Sequence, residues 1–64
     1  MTTEPQSRFI KSLLVGNGFT QFKMKREHEE IPHADLGFDT VDEWLESLST
    51  RQASEVIDYL KELR

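Results

Sequence analysis

Apolar residues along this chain fall into three stripes with helical spacing, separated by a stretch whose pattern fits neither helix nor strand throughout. Phe9, Ile10, Leu13 and Leu14 recur at i, i+1, i+4 and i+5, which places them on one side of a 3.6-residue helix. Thr3 followed by Gln6 has capping-box spacing, and Pro5 falls in the first turn, where its missing N–H costs no helical hydrogen bond. Gly16-Asn17-Gly18 ends the stripe, and Gly16 is expected to take the left-handed conformation that follows a helix. This predicts a first helix over about 4–15.

Val41, Trp44, Leu45 and Leu48 form a second stripe, with Asp39 or Thr40 available as a cap and Glu43 three residues after Thr40. The predicted helix covers about 40–48. Ser49 and Gln52 repeat the capping-box spacing, and Ala53, Val56, Ile57, Leu60 and Leu63 make a third stripe, so a helix is predicted over about 50–63. Lys61 and Arg64 suit the negative end of its dipole. The connection around Ser49 is short, so the last two helices should form a helical hairpin. Across it, the first helix should bring Phe9 and Leu13 onto Ile57 and Leu60, approaching closely at the small residues Ala53 and Ser54.

Between Phe19 and Phe38 the pattern changes. Phe22 and Met24 alternate with Lys23 and Lys25 as in a strand, yet Thr20 is equally able to start a helix. Pro32 ends any preceding helix, because it pushes Ile31 out of the helical region. From Pro32 onwards an irregular connector should drop Leu36 and Phe38 into the core. The expected fold is therefore all-α: one small domain over residues 1–64, with three helices and an irregular or short extended segment at 19–38.

Composition narrows the function classes. The chain has 64 residues, no cysteine, 36% hydrophobic and 31% charged residues. Disulfides and thiolate–metal sites are excluded, and an intracellular, cytoplasmic setting follows as an expectation. The opening MTTEPQSR carries no apolar run behind a basic cap, so no secretory leader is expected, and no apolar run is long enough for a membrane span. The net charge of −4 is unevenly spread. Residues 1–26 hold five basic side chains against Glu4 alone, whereas residues 27–49 hold eight acidic side chains and no Lys or Arg. Residues 50–64 balance three against three.

Four constellations have chemical content. His28-Glu29-Glu30-Ile31-Pro32-His33 approaches the zinc-protease pattern H-E-x-x-H, but its histidines are five residues apart, about 140° around a helix, and Pro32 breaks that helix. It is expected to be a solvated connector, with no metal. The stretch from Phe19 to Arg26 interleaves aromatics and cations: Phe22 can stack on a base while Lys23, Lys25 and Arg26 meet phosphates. Against that, a core this small is expected to claim Phe19, Phe22 and Met24. Trp44 is expected in the core. Arg51 and Gln52 could read bases at the start of the last helix, but Glu55 and Asp58 on the same helix would repel phosphates. No serine sits in a G-x-S-x-G turn and no cysteine is present, so no catalytic residue and no cofactor are assigned.

Two end pieces also match a pattern. PQSRFIKSLL resembles a Q-x-x-[FY]-I-x-x-L opening through Gln6, Phe9, Ile10 and Leu13. LSTRQASEVIDYLKEL resembles a closing L-[ST]-x-x-x-A-S-x-x-I-x-x-L-K through Leu48, Ser49, Ala53, Ser54, Ile57, Leu60 and Lys61. Together they are similar to small helical modules that stand alone or are appended to phage and actinobacterial DNA-handling proteins. The resemblance implies a helical fold and a phage or bacterial DNA-metabolism setting; it assigns no activity, and HEEIPH lies outside it.

The expected function is a non-enzymatic adaptor or inhibitor that binds a basic surface of another protein. Its binding face would be built from Glu29, Glu30, Asp35, Asp42, Glu43 and Glu46. The alternative is a nucleic-acid-binding module using Phe22, Lys23, Lys25 and Arg26. A second copy of the chain is a further candidate partner, because a small core can be completed by self-association.

Overall fold

The computed structural model describes residues 2–63 and contains three α-helices: α1 (Glu4–Gly16), α2 (Val41–Ser47) and α3 (Thr50–Glu62). One turn of 3-10 helix, Arg26–Glu30, interrupts the long connection between α1 and α2. The three expected helices are present within a residue of their predicted ends. Arg64 lies outside the described residues.

Local chemistry starts each helix. The Thr3 hydroxyl accepts from the Gln6 N–H while the Gln6 side chain accepts from the Thr3 N–H, and Ser49 with Gln52 does the same for α3. At α2 the Thr40 hydroxyl accepts from the Glu43 N–H at 3.2 Å. The C-terminus of α1 corrects the expectation for Gly16: the left-handed residue is Gly18, at φ 87°. Asn17 is the C-cap; the Phe19 N–H then donates to the Leu14 carbonyl (2.7 Å) and the Gly18 N–H to the Val15 carbonyl (3.1 Å). This is a Schellman closure. It lets the helix run one residue further and turns Phe19 back against the core.

The main helix pairing is α1 with α3. The Gln6 amide donates to the Thr50 carbonyl (3.4 Å) and the Asn17 amide to the Leu60 carbonyl (3.3 Å). Start meets start and end meets end, so α1 and α3 run parallel, and the expected α2–α3 hairpin is not the principal packing unit. With only seven residues, α2 instead wedges one side, Val41, Trp44 and Leu45, into the core. Thr2 secures its far end, its hydroxyl lying 2.5 Å and 3.0 Å from the carbonyls of Leu45, which also accepts from the Leu48 N–H, and of Leu48.

The core consists of Ile10, Leu13, Leu14, Ile31, Val41, Trp44, Leu45, Leu48, Ala53, Val56 and Leu60. Four expected core residues are displaced from it: Phe9 and Leu36 are each 44% exposed, Leu63 is 43% exposed, and Phe22 is 70% exposed. Phe9 sits at the edge of the stripe on α1, about 90° from the centre of the buried face set by Ile10, Leu13 and Leu14. Trp44 is fully buried as expected, and the added core residues are Ile31 and one assigned to solvent on sequence grounds, His28. Ser54, expected at a close helix contact, is exposed.

Of the two readings left open for Phe19–Arg26, the structure has the extended one, around a single bridge; no helix starts at Thr20. An antiparallel bridge pairs Lys23 with Thr40: the Val41 N–H donates to the Phe22 carbonyl (2.9 Å) and the Met24 N–H to the Asp39 carbonyl (3.2 Å). The 3-10 turn follows, and Ile31 is extended (φ −74°, ψ 137°), as the residue before a proline should be.

Candidate functional site

All six acidic side chains proposed as a partner face are exposed, but the fold divides them. Asp42, Glu43 and Glu46 share the outward side of α2, spanning about 100° of its circumference opposite the buried Val41, Trp44 and Leu45. Asp42 and Glu46 line an open groove of about 440 Å³ together with Glu4, Arg8 and Lys11 of α1, and Lys11 forms an ion pair with Asp42. This α2 face is therefore acidic with a basic margin. Glu43 faces its own cap, its carboxylate accepting from the Thr40 hydroxyl at 3.2 Å. Glu29 and Glu30 line a different concavity with Arg26 and Glu27. Asp35 closes its own turn by accepting from the Gly37 N–H at 2.8 Å.

The basic–aromatic residues stay together. Phe22, Lys23, Lys25 and Arg26 are all exposed within five positions, and among the described residues none of the three cations forms an ion pair. Met24 turns inward and packs against the core, which matches an extended segment with one side covered. Phe22 does not turn inward with it. A bend at Gln21–Phe22, in which the Thr20 hydroxyl accepts from the Phe22 N–H (3.3 Å), rotates the ring out to solvent.

The two histidines of HEEIPH have separate structural duties, so the segment is not a solvated connector. His28 is fully buried. Its Nδ1 accepts from the Lys25 N–H at 3.0 Å, which assigns the proton to Nε2, and Nε2 then donates to the Thr20 carbonyl at 3.0 Å. The ring also packs against Phe19 with centroids 5.5 Å apart. His33 occupies the left-handed region (φ 65°); its carbonyl accepts from the Trp44 indole N–H at 2.8 Å, and its Nε2 meets Glu55 at 2.5 Å. The left-handed turn after Pro32 is thus anchored by the largest core side chain.

Among the described residues, no group of three or more His, Asp or Glu is placed to hold a metal ion. No described helix is long and apolar enough to cross a membrane. What the fold defines is a small three-helix domain whose two described grooves each carry both signs of charge. The chain matches no protein-family model, no curated protein and no solved structure. The contribution of His28 had no sequence signal, because its partners are backbone groups at Thr20 and Lys25 that any residues would supply.

Proposed function

We propose that this protein is a non-enzymatic interaction module, an adaptor or inhibitor, whose acidic α2 face engages a basic surface on another protein. The carrying observation is the exposure of Asp42, Glu43 and Glu46 on one side of a helix whose other side is fixed in the core. A partner binding there meets a preorganised row of carboxylates, and it can compete for Asp42 with Lys11, whose exposed pairing contributes little stability. The described grooves are open and lined by mixed charges, which suits contact between surfaces more than enclosure of a substrate. The resemblance of the end pieces to modules of DNA-handling proteins suits a phage or bacterial setting, with the protein in the cytoplasm and the DNA-binding surface of another protein as the kind of target that carries such positive charge.

The test is capture from bacterial lysate by the immobilised protein, comparing wild type with Glu43→Gln plus Glu46→Lys. The cap of α2 is made by the residue-43 N–H donating to the Thr40 hydroxyl, and glutamine there also retains an oxygen for that hydroxyl to donate to. Partners bound by wild type, released by moderate salt and lost in the variant support the reading. Equal capture of every partner by both proteins would refute it.

A further inference from the structure

Phe22 is the most exposed large apolar side chain described, and the acidic α2 face gives it no role. Surface phenylalanines are often mobile, but this one is held by its backbone. Its N–H donates to the Thr20 hydroxyl, its carbonyl accepts from the Val41 N–H, and the next residue is bridged to Thr40. The main chain that carries the ring is fixed in this way, so no backbone ordering is needed when a partner stacks on it. On its C-terminal side stand Lys23 and Lys25, exposed and without an ion pair among the described residues. An exposed aromatic face on an anchored backbone, with two lysines next to it in sequence, is complementary to an unstacked base joined to phosphates.

We propose that the turn from Thr20 to Lys25 is a binding site for single-stranded nucleic acid, with Phe22 as the stacking platform and Lys23 and Lys25 as the phosphate contacts. A duplex is a poor occupant, because its base faces are already stacked. Arg26 contributes less than its charge suggests, since it shares a concavity with Glu27, Glu29 and Glu30. Those carboxylates repel phosphates and border the site on the side of the 3-10 helix. Glu27 also reaches the Thr20 end of the turn, its carboxylate accepting from the Thr20 N–H at 3.4 Å, which confines the phosphate contacts to Lys23 and Lys25. The strand therefore crosses Phe22 and the two lysines away from that helix, and the footprint is short. Because every base has a stacking face, little sequence preference is expected.

Fluorescence anisotropy of a labelled oligothymidylate, titrated with the whole chain at low salt, tests the proposal. Wild type should bind saturably, more tightly than it binds a duplex of equal length. The log–log salt slope should be roughly −1.4, two phosphates at about 0.7 each. Phe22→Ala should weaken binding roughly 5- to 140-fold, the range of base–aromatic stacking, while Phe22→Trp retains it. Lys23→Glu plus Lys25→Glu should abolish it. Phe22 is exposed, so its variants should melt with wild type, which separates lost binding from lost folding. Glu43→Gln plus Glu46→Lys should bind the oligonucleotide undiminished, so the two surfaces can fail separately. Absence of saturable binding at low salt, equal binding by Phe22→Ala, or a duplex bound as tightly as the single strand overturns the proposal. It is equally overturned if Phe22 proves to engage a protein while the oligonucleotide is ignored.

Discussion

Replacing His28 by leucine tests whether the irregular third of the molecule is held by hydrogen bonds or by packing. Leucine fills a similar space and is more apolar, so an account based on burial alone predicts equal or greater stability. The hydrogen bonds predict the opposite. Without the imidazole, the Lys25 N–H loses its acceptor and the Thr20 carbonyl loses its donor, both in partly buried positions. An unsatisfied group of this kind costs roughly 1–3 kcal/mol, and the pair about 2–4 kcal/mol where some water can reach them. A chain of this length has a total stability of roughly 3–10 kcal/mol, so His28→Leu should remove a large share of it. His28→Asn keeps an acceptor near the Nδ1 position and His28→Gln keeps a donor near Nε2, so each should fall between leucine and wild type. Urea unfolding followed through the fluorescence of the fully buried Trp44 measures the series. With an m-value of about 1 kcal/mol/M, the leucine midpoint should drop by about 2–4 M. A leucine variant as stable as wild type, or more stable than the asparagine variant, would refute the reasoning.

Two glycines two residues apart should respond oppositely to alanine. Gly18→Ala puts a Cβ into the left-handed region at φ 87° and should cost about 1–2 kcal/mol, whereas Gly16→Ala meets nothing within 4 Å in a helical turn and should add about 0.5–1 kcal/mol. Thermal melts moving in the same direction would contradict the Schellman assignment at the end of α1. Zinc or a chelator should leave the melting temperature unchanged, because both His28 nitrogens are committed to backbone groups and His33 faces Glu55; a clear shift in either titration would reopen the metal question.

The helices were legible because their signals are local. Thr3 with Gln6, Thr40 with Glu43, and Ser49 with Gln52 each act across three residues, and the apolar stripes need no knowledge of a partner. The segment 19–38 was not legible in the same way. Its anchors span eight residues from His28 to Thr20, eleven from Trp44 to His33, and nineteen from Val41 to Phe22. Two of the three end on a backbone carbonyl of a polar residue, which carries no side-chain signature. The expectation that both phenylalanines were needed inside failed for a related reason: burial of His28 and Ile31 left Phe22 unneeded. Charge counting found the acidic residues but not their division, since the Lys11–Asp42 pair joins α1 to α2 across thirty-one positions.

That mode of anchoring bears on how the surface is used. A connector held by packed side chains constrains its own sequence, because each residue facing the core must keep its shape. Here much of the constraint falls on a few inward groups, namely His28, Ile31, the Trp44 indole and the half-buried Met24 and Phe38, and several of their contacts are to main chain. Gln21 is half-buried, but Phe22, Lys23, Lys25, Glu29, Glu30, Asp35 and Leu36 are exposed on a backbone whose path they do not determine through burial. Residues at these exposed positions can be exchanged while the scaffold stays, as is common for connections between fixed elements. The left-handed turn at His33 fits the same logic: an exposed side chain at φ 65° persists because the indole N–H beneath it fixes the carbonyl. The connection also closes on itself: the Val41 N–H bond to the Phe22 carbonyl brings its exposed start beside the first turn of α2, where Asp42 and Glu43 stand.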